Sequence, residues 1–340
     1  MYSFEKYSQN LKNDWFSIAN HEVNSCINAL DETVLERNSD INIIVYKILE
    51  NKEKNRIPIA IFVSHNFNFT FKGALKILNA YNGGFFIRKD FIQESSSIKN
   101  FFYNSIVLNY FAKKMGFDII NFYPPAQKAI ENSELIFINN PIRHCITDNN
   151  SMLYMKLDDD FIDKLKKMPR YEIRKGIKFI DQNILLNTKG EDVLNHFLYL
   201  DKIKSTRLGI KPVTKDYFEE LLKSEFHKVL ICLDKKTLKP IGGFVYSLVG
   251  NVGDQIYLAG SNVERKNFVN KGLTYLAMEA CKEAGAKYFM TGHGYTNGNM
   301  VSATTYHRTI STNEVSCGIV RSPISLLGRL YFSLLALKRR

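Results

Sequence analysis

Two histidines, a tyrosine and an aspartate stand among glycines and basic residues in the last third of this 340-residue sequence. In "MTGHGYTNGNM", residues 290–300, His293 carries a ring that titrates near neutral pH and can take a proton from an ammonium group. Gly292, Gly294 and Gly298 beside it allow a ligand to approach the backbone closely. "TTYHRTI" adds Tyr306, which either packs or protonates a leaving group, and His307, a second candidate base. Asp254 is an alternative base, expected in a hairpin turn. The histidine spacing fits no metal site, and no GxSxG, P-loop or HExxH motif occurs, so no metal is expected.

Two basic segments could hold an anionic substrate. In "VERKNFVNKG", residues 263–272, a loop runs into a helix whose first amides lack intrahelical partners. With the helix dipole they form an anion site suited to a pyrophosphate. Arg265, Lys266 and Lys271 add charge, Asn270 lies at the helix start, and Gly272 would admit a ligand to the backbone. In "KMPRYEIRKGIKF", residues 167–179, Ile173, Ile177 and then Ile180 form an apolar stripe at helical spacing. Arg170, Arg174 and Lys178 lie on another face, with Glu172 the single acid of the segment. That face is either a solvated surface or a wall binding the phosphates of an acceptor.

These groups need elements to position them. "HKVLICLD", "IGGFVYSLV" and "DQIYLAGSN" read as an antiparallel meander with turns at "KKTLKP" and "GNVG". A helix follows with Leu273, Leu276, Ala277, Ala280 and Ala284 on one face, then Gly285 and the strand "AKYFMTG". If the strands at 255–260 and 287–291 diverge, their gap can accept an extended, amide-bearing ligand. The first half carries the same order more faintly. "INIIVYKILE" and "PIAIFVSHNF" are strands, "SIKNFFYNSIVLNYFAKKMG" a long helix, and "FDIINFY" a strand after Gly116. This predicts a degenerate internal repeat, with domains at 1–150 and 151–340 meeting near the polar stretch "ITDNNSM".

Composition bounds the class. Hydrophobic residues at 45% and charged residues at 24% are those of a globular chain. The net charge of +12 favours acidic partners: nucleic acid, anionic lipid or phosphorylated metabolites. Five scattered cysteines without a CxxC pair argue against a disulfide framework or a zinc site. No apolar h-region opens the sequence, and no uncharged apolar run reaches the ~18–20 residues of a membrane span. A cytoplasmic protein is expected, with membrane contact at most peripheral, at the inner face. The C-terminal "SPISLLGRLYFSLLALKRR" fits burial against the protein body, the favoured reading, or docking at a membrane.

The meander, loop, helix and strand resemble the acyl-CoA core of the GNAT acetyltransferases. "MPRYEIRKGIK", "NKGLTYLAMEACKEAGAKYF" and "YHRTI" together look like the FemAB-like branch, over about residues 150–320. The resemblance implies an α/β (α+β) chain of tandem GNAT-like acyltransferase domains with mixed, mostly antiparallel sheets. It also implies a donor, acetyl-CoA or another acyl-CoA as co-substrate, and transfer of the acyl group to an amine. The expected acceptor is a nucleotide- or lipid-linked amino sugar used in surface-polysaccharide assembly. Aminoacyl-tRNA-dependent transfer to a peptidoglycan peptide is the alternative, so tRNA is a candidate partner and DNA is not. The loop departs from the usual GNAT pattern: Val269 stands where an arginine is expected, and only Gly272 matches the glycines. From another class, a nucleic-acid-binding protein would also explain the charge, but no aromatic–basic motif supports it.

Overall fold

A computed structural model describes residues 2–22, 27–48, 56–64, 66–70, 73–80, 84–88, 110–122, 146–294 and 301–338. The chain divides into two compact units, Met1–Asn150 with Ser316–Arg340, and Ser151–Val315. The C-terminal segment returns to the first unit instead of ending the second. "ITDNNSM" is no linker either, because it opens an eleven-residue strand, Ile146–Lys156.

In the first unit, β1 (Tyr2–Lys6), β2 (Ile43–Ile48), β3 (Arg56–Val63) and β6 (Gly84–Ile87) form an antiparallel sheet. Strand β2 is apolar at successive positions because both of its faces are covered. Ile43 and Val45 enter one core with Phe62 and Phe111. Ile44 and Tyr46 enter another with Trp15 and Ile18 of α1 (Lys12–Glu22). Two short helices follow, α2 (Ile27–Leu30) and α3 (Glu32–Arg37), separated at Asp31. A second set of strands pairs β4 (Asn66–Thr70) antiparallel to β5 (Leu75–Ala80), and β5 parallel to β7 (Ile119–Phe122). Residues of β14 (Asn313–Pro323) then pair antiparallel with β7. The long helix expected at 97–116 lies mostly outside the described residues.

The second unit repeats that plan. Strand β8 (Ile146–Lys156) is antiparallel to β13 (Tyr288–Gly294), β13 is parallel to β12 (Val252–Gly260), and β12 is antiparallel to β11 (Pro240–Val249). β10 (His227–Leu233) and β9 (Ile184–Leu186) complete the sheet. Alternate residues again feed two cores. Leu230 and Cys232 meet α4 (Lys167–Asp181) and α8 (Val269–Glu283), whereas Val229 and Ile231 meet α5 (Glu191–Leu208) and α6 (Lys215–Lys223). Gly116 and Gly285, the residues that suggest the repeat, both hold left-handed backbone, φ +67° and +90°.

Helices α4 and α8 cross with their backbones close together. A Cβ on Gly272 would meet Ile180 Cδ1 at 2.7 Å and the Gly176 carbonyl carbon at 2.9 Å. A Cβ on Gly176 would strike the carbonyl oxygen of Phe268. Gly272 therefore serves helix packing, and not the ligand approach its place in the sequence suggests.

Candidate functional site

The parallel pairing of β12 and β13 covers three residue pairs and ends at Asp254 and Met290. Both strands continue, and each carries an extra residue just beyond that point. The β11–β12 register shifts so that Ile256 has no partner, and the β13–β8 register shifts at Thr291. A bulge bends its strand and increases the local twist. Two bulges at one level drive the strands apart. Thr291 is buried and anchors its bulge by donating to the Leu153 carbonyl at 3.0 Å. The gap opens into a cavity of about 800 Å³, lined by residues 255–260 of β12 and by Thr291 and Gly292. Among the described residues no strand pairs with 255–260 on that side. Every second amide of a strand points away from a given neighbour, so the cavity receives free backbone donors and acceptors.

Four helices bring side chains to this cavity. "VERKNFVN", expected as a loop, forms the short helix α7 (Asn262–Asn267), and α9 (Val301–Thr309) follows β13. Tyr306 and His307 of α9, Arg265 of α7, and Asn270 and Lys271 of α8 line the cavity together. The His307 ring lies over Gly292, where an added Cβ would meet it at 2.7–2.8 Å. Gly292 has φ +147°, so it must be glycine for conformation as well as for space. The Tyr306 hydroxyl is 3.2 Å from Thr274 Oγ1, which donates its proton to the Asn270 carbonyl. The phenol is thus the donor between them. Burial pushes the Tyr306 pKa well up, so the group stays protonated at neutral pH.

The other sequence candidates lie elsewhere. Asp254 is within β12 and not in a turn, and it is not among the cavity-lining residues. Gly294 ends β13, while the side chain of His293 and the loop 295–300 lie outside the described residues. The backbone carbonyl of Lys266 accepts a hydrogen bond from Lys175. Arg170 and Arg174 share the carboxylate of Asp163, at 3.3 and 3.6 Å, and Lys178 is exposed. None of these three lines the cavity. The isoleucine stripe of α4 is placed as the spacing predicts, with Ile173 and Ile180 buried.

Glu264 is the functional candidate that sequence reasoning misses. Beside Arg265 and Lys266 it reads as half of a solvated pair. The α7 helix instead turns it over Gly260, where an added Cβ would meet its Oε2 at 2.9 Å, and leaves it 9% exposed. Its carboxylate accepts the Asn270 amide at 3.3 Å. That amide is one of those left free at the start of α8. The anion site expected there already holds an anion from the chain itself. Lys271, expected to add charge, is ion-paired with Glu172. Burial raises the pKa of Glu264, opposed by the Asn270 amide, Arg207, Arg265 and Lys271. Lys204 lies over the Tyr257 ring at 4.1 Å, and burial lowers its pKa. Arg207 completes the basic wall. Among the described residues, no group of three or more His, Cys, Asp or Glu is placed to bind a metal ion.

No family model and no curated relative matches the sequence. Solved structures do. The crystal structure of FemX superposes with TM-score 0.63 at 13% identity, covering 98% of this chain and 99% of that one. The chain has a tandem GNAT-like fold. A tandem GNAT protein from the clavulanic acid biosynthesis pathway matches with TM-score 0.53 at 8% identity, over 96% and 99% of the two chains. The C-terminal domain of a putative lysylphosphatidylglycerol synthetase from Agrobacterium fabrum gives 0.53 at 9%, over 94% of each. The β12–β13 gap and the start of α8 are the two places where the residues suggest an extended, amide-bearing ligand and an anion.

The pH response of the fold follows from Asp254. Burial raises its carboxyl from the ordinary 3.8 to about 7. The folded state therefore holds a proton that the unfolded chain releases, and stability falls as pH rises from about 4 to 7. At one pKa unit per ~1.4 kcal/mol the loss is at most about 4 kcal/mol. Asp254→Asn removes this ionisation. The variant should melt several degrees above the parent at pH 8 and level with it at pH 4, as measured by thermal unfolding across that range.

Proposed function

We propose that the protein is an acyltransferase that joins the acyl group of an activated ester to a primary amine by direct attack, within the cavity of the second unit. The observation that carries this reading is the paired bulging of β12 and β13. It presents unpaired strand amides beside a cavity of ligand size. An acyl group extended along that edge would have its carbonyl oxygen next to backbone N–H groups, which stabilise the oxyanion formed when the amine attacks. Glu264 or His307 would take the proton from the attacking ammonium, and Tyr306 would return one to the leaving oxygen or sulfur. No covalent intermediate on the protein is required. Holding donor and acceptor in line supplies much of the acceleration.

For the donor we favour an aminoacyl ester of tRNA over acyl-CoA, reversing the emphasis of the sequence. Glu264 caps the helix end where a pyrophosphate would sit, and Lys271 is neutralised by Glu172. The acceptor is read as the amine of a phosphorylated, carrier-linked precursor of the cell surface, on the net charge of +12. The test offers the purified protein labelled acetyl-CoA or charged tRNA, each with amine acceptors of this kind. Transfer from tRNA alone is the expected result. Transfer from acetyl-CoA alone would reverse the donor assignment and leave the acyltransferase reading standing; transfer from neither would overturn both.

A further inference from the structure

The C-terminal helix α10 (Leu326–Lys338) belongs to the first unit and is apolar around most of its circumference, yet it is covered on one side only. Its inner face is held firmly. Phe332 packs with Leu75 of β5 and Ile119 of β7, and Tyr331 lies against the same cluster. Gly328 passes so close to the Asp118 carbonyl that a Cβ there would clash. Ser325 donates to the Asp118 carboxylate and caps the helix by accepting the Gly328 amide at 3.0 Å. The expectation that this segment buries itself therefore describes half of the helix.

On the outer face Leu326, Leu330 and Leu334 recur at four-residue spacing beside Leu327, and they are 75%, 55%, 58% and 47% exposed. Leucines on a fixed helix at that spacing form a continuous apolar strip. Arg329 is exposed beside it, and the sequence ends Lys338–Arg339–Arg340. Glu314 is the last acid, so the 26 residues from Val315 onward carry five basic side chains and no carboxylate. An apolar strip on a segment that carries cations and no acid of its own is the pattern of a helix that lies in a lipid–water interface. There the leucines enter the acyl boundary, and the long basic side chains reach up to anionic headgroups. Helix α10 has 13 residues, too few to cross a bilayer.

We propose that α10 docks the protein on the surface of an anionic membrane, lying parallel to it. This does not depend on the acyltransferase reading, because no residue of the cavity is involved. The test is flotation of the full chain with vesicles of phosphatidylcholine containing about 30% phosphatidylglycerol, against vesicles of phosphatidylcholine alone. The parent should float with the anionic vesicles and much less with the neutral ones. Leu330→Glu with Leu334→Glu should reduce binding at least about tenfold, because each change places a carboxylate where an apolar group must enter lipid. Both positions face solvent, so the variant should keep the parent's melting temperature; Leu330→Ser with Leu334→Ser, a milder pair, should show an intermediate loss. Absence of parental binding, or equal binding by both double variants, would overturn the proposal. So would sedimentation showing that the parent is a dimer and the glutamate variant a monomer, for the strip would then be a contact between copies.

Discussion

Gly176→Ala is expected to lower the unfolding midpoint of the second unit by about 5–10 °C, although alanine is the better helix former. The substitution should gain about 1 kcal/mol in helix propensity. Against this, the new methyl group would point into the Phe268 carbonyl oxygen, and its next neighbour is the Gly272 amide nitrogen at 3.0 Å. Both obstacles are backbone, so no rotamer change relieves them and α4 must move off α8. Overpacking of this kind costs about 3 kcal/mol or more when side chains cannot yield. A net loss of about 2–3 kcal/mol in a unit of this size corresponds to the stated shift. The same movement would displace Phe268, whose left-handed backbone at φ +57° joins α7 to α8 and so sets the position of Glu264. Gly190→Ala provides the control. That glycine has extended backbone and an added Cβ meets nothing within 4 Å, so its melting curve should stay within a degree or two of the parent's. Circular dichroism melts of the three proteins decide the matter.

The contrast between Gly176 and the isoleucines beside it shows which parts of this molecule can be read from the chain. Ile173 and Ile180 announce a buried helix face because the 3.6-residue period is local information. The strands β10 to β12 are equally legible, as apolar runs separated by short polar turns. So is the repeat, since Gly116 and Gly285 both hold left-handed backbone three residues before a strand. What Gly176 does depends on Gly272, ninety-six positions later, and no period connects them. Strand β8 is hidden for a related reason. "ITDNNSM" is polar, and its end is held as strand by pairing, Ser151 against Gly294 and Met152 against His293. The return of residues 316–340 to the first unit is likewise a pairing between distant segments. Within the site, Tyr306, His307, Arg265, Asn270 and Lys271 are named by residue type and fall around one cavity. Glu264 could have been found only by recognising α7 as a helix. Periodicity gives little help there, because the helix has six residues and one buried side chain.

Glu264→Gln should reduce kcat/KM for acyl transfer by about a hundredfold or more while leaving the fold intact. Glutamine has the same shape, and its amide oxygen can still accept the Asn270 N–H, so the cap on α8 survives. What it lacks is the ability to take a proton or to balance an ammonium charge in a largely buried position. General-base assistance is worth about 10²–10⁴ in rate. A neutral group facing a buried ammonium forfeits a charge-assisted hydrogen bond as well. The pH profile separates this role from a structural one. Because burial raises the Glu264 pKa, the parental kcat/KM should climb with pH through a limb lying above the ordinary glutamate range, as the carboxylate form becomes populated. In the glutamine variant that limb should vanish. Tyr306→Phe offers the complementary result. Its phenol is the acid, with a pKa pushed well up, so its loss should fall most heavily on substrates with poor leaving groups and leave the low-pH limb in place. Should Glu264→Gln keep the parental rate and the parental limb, the carboxylate is a helix cap and nothing more, and the base must be sought at His307.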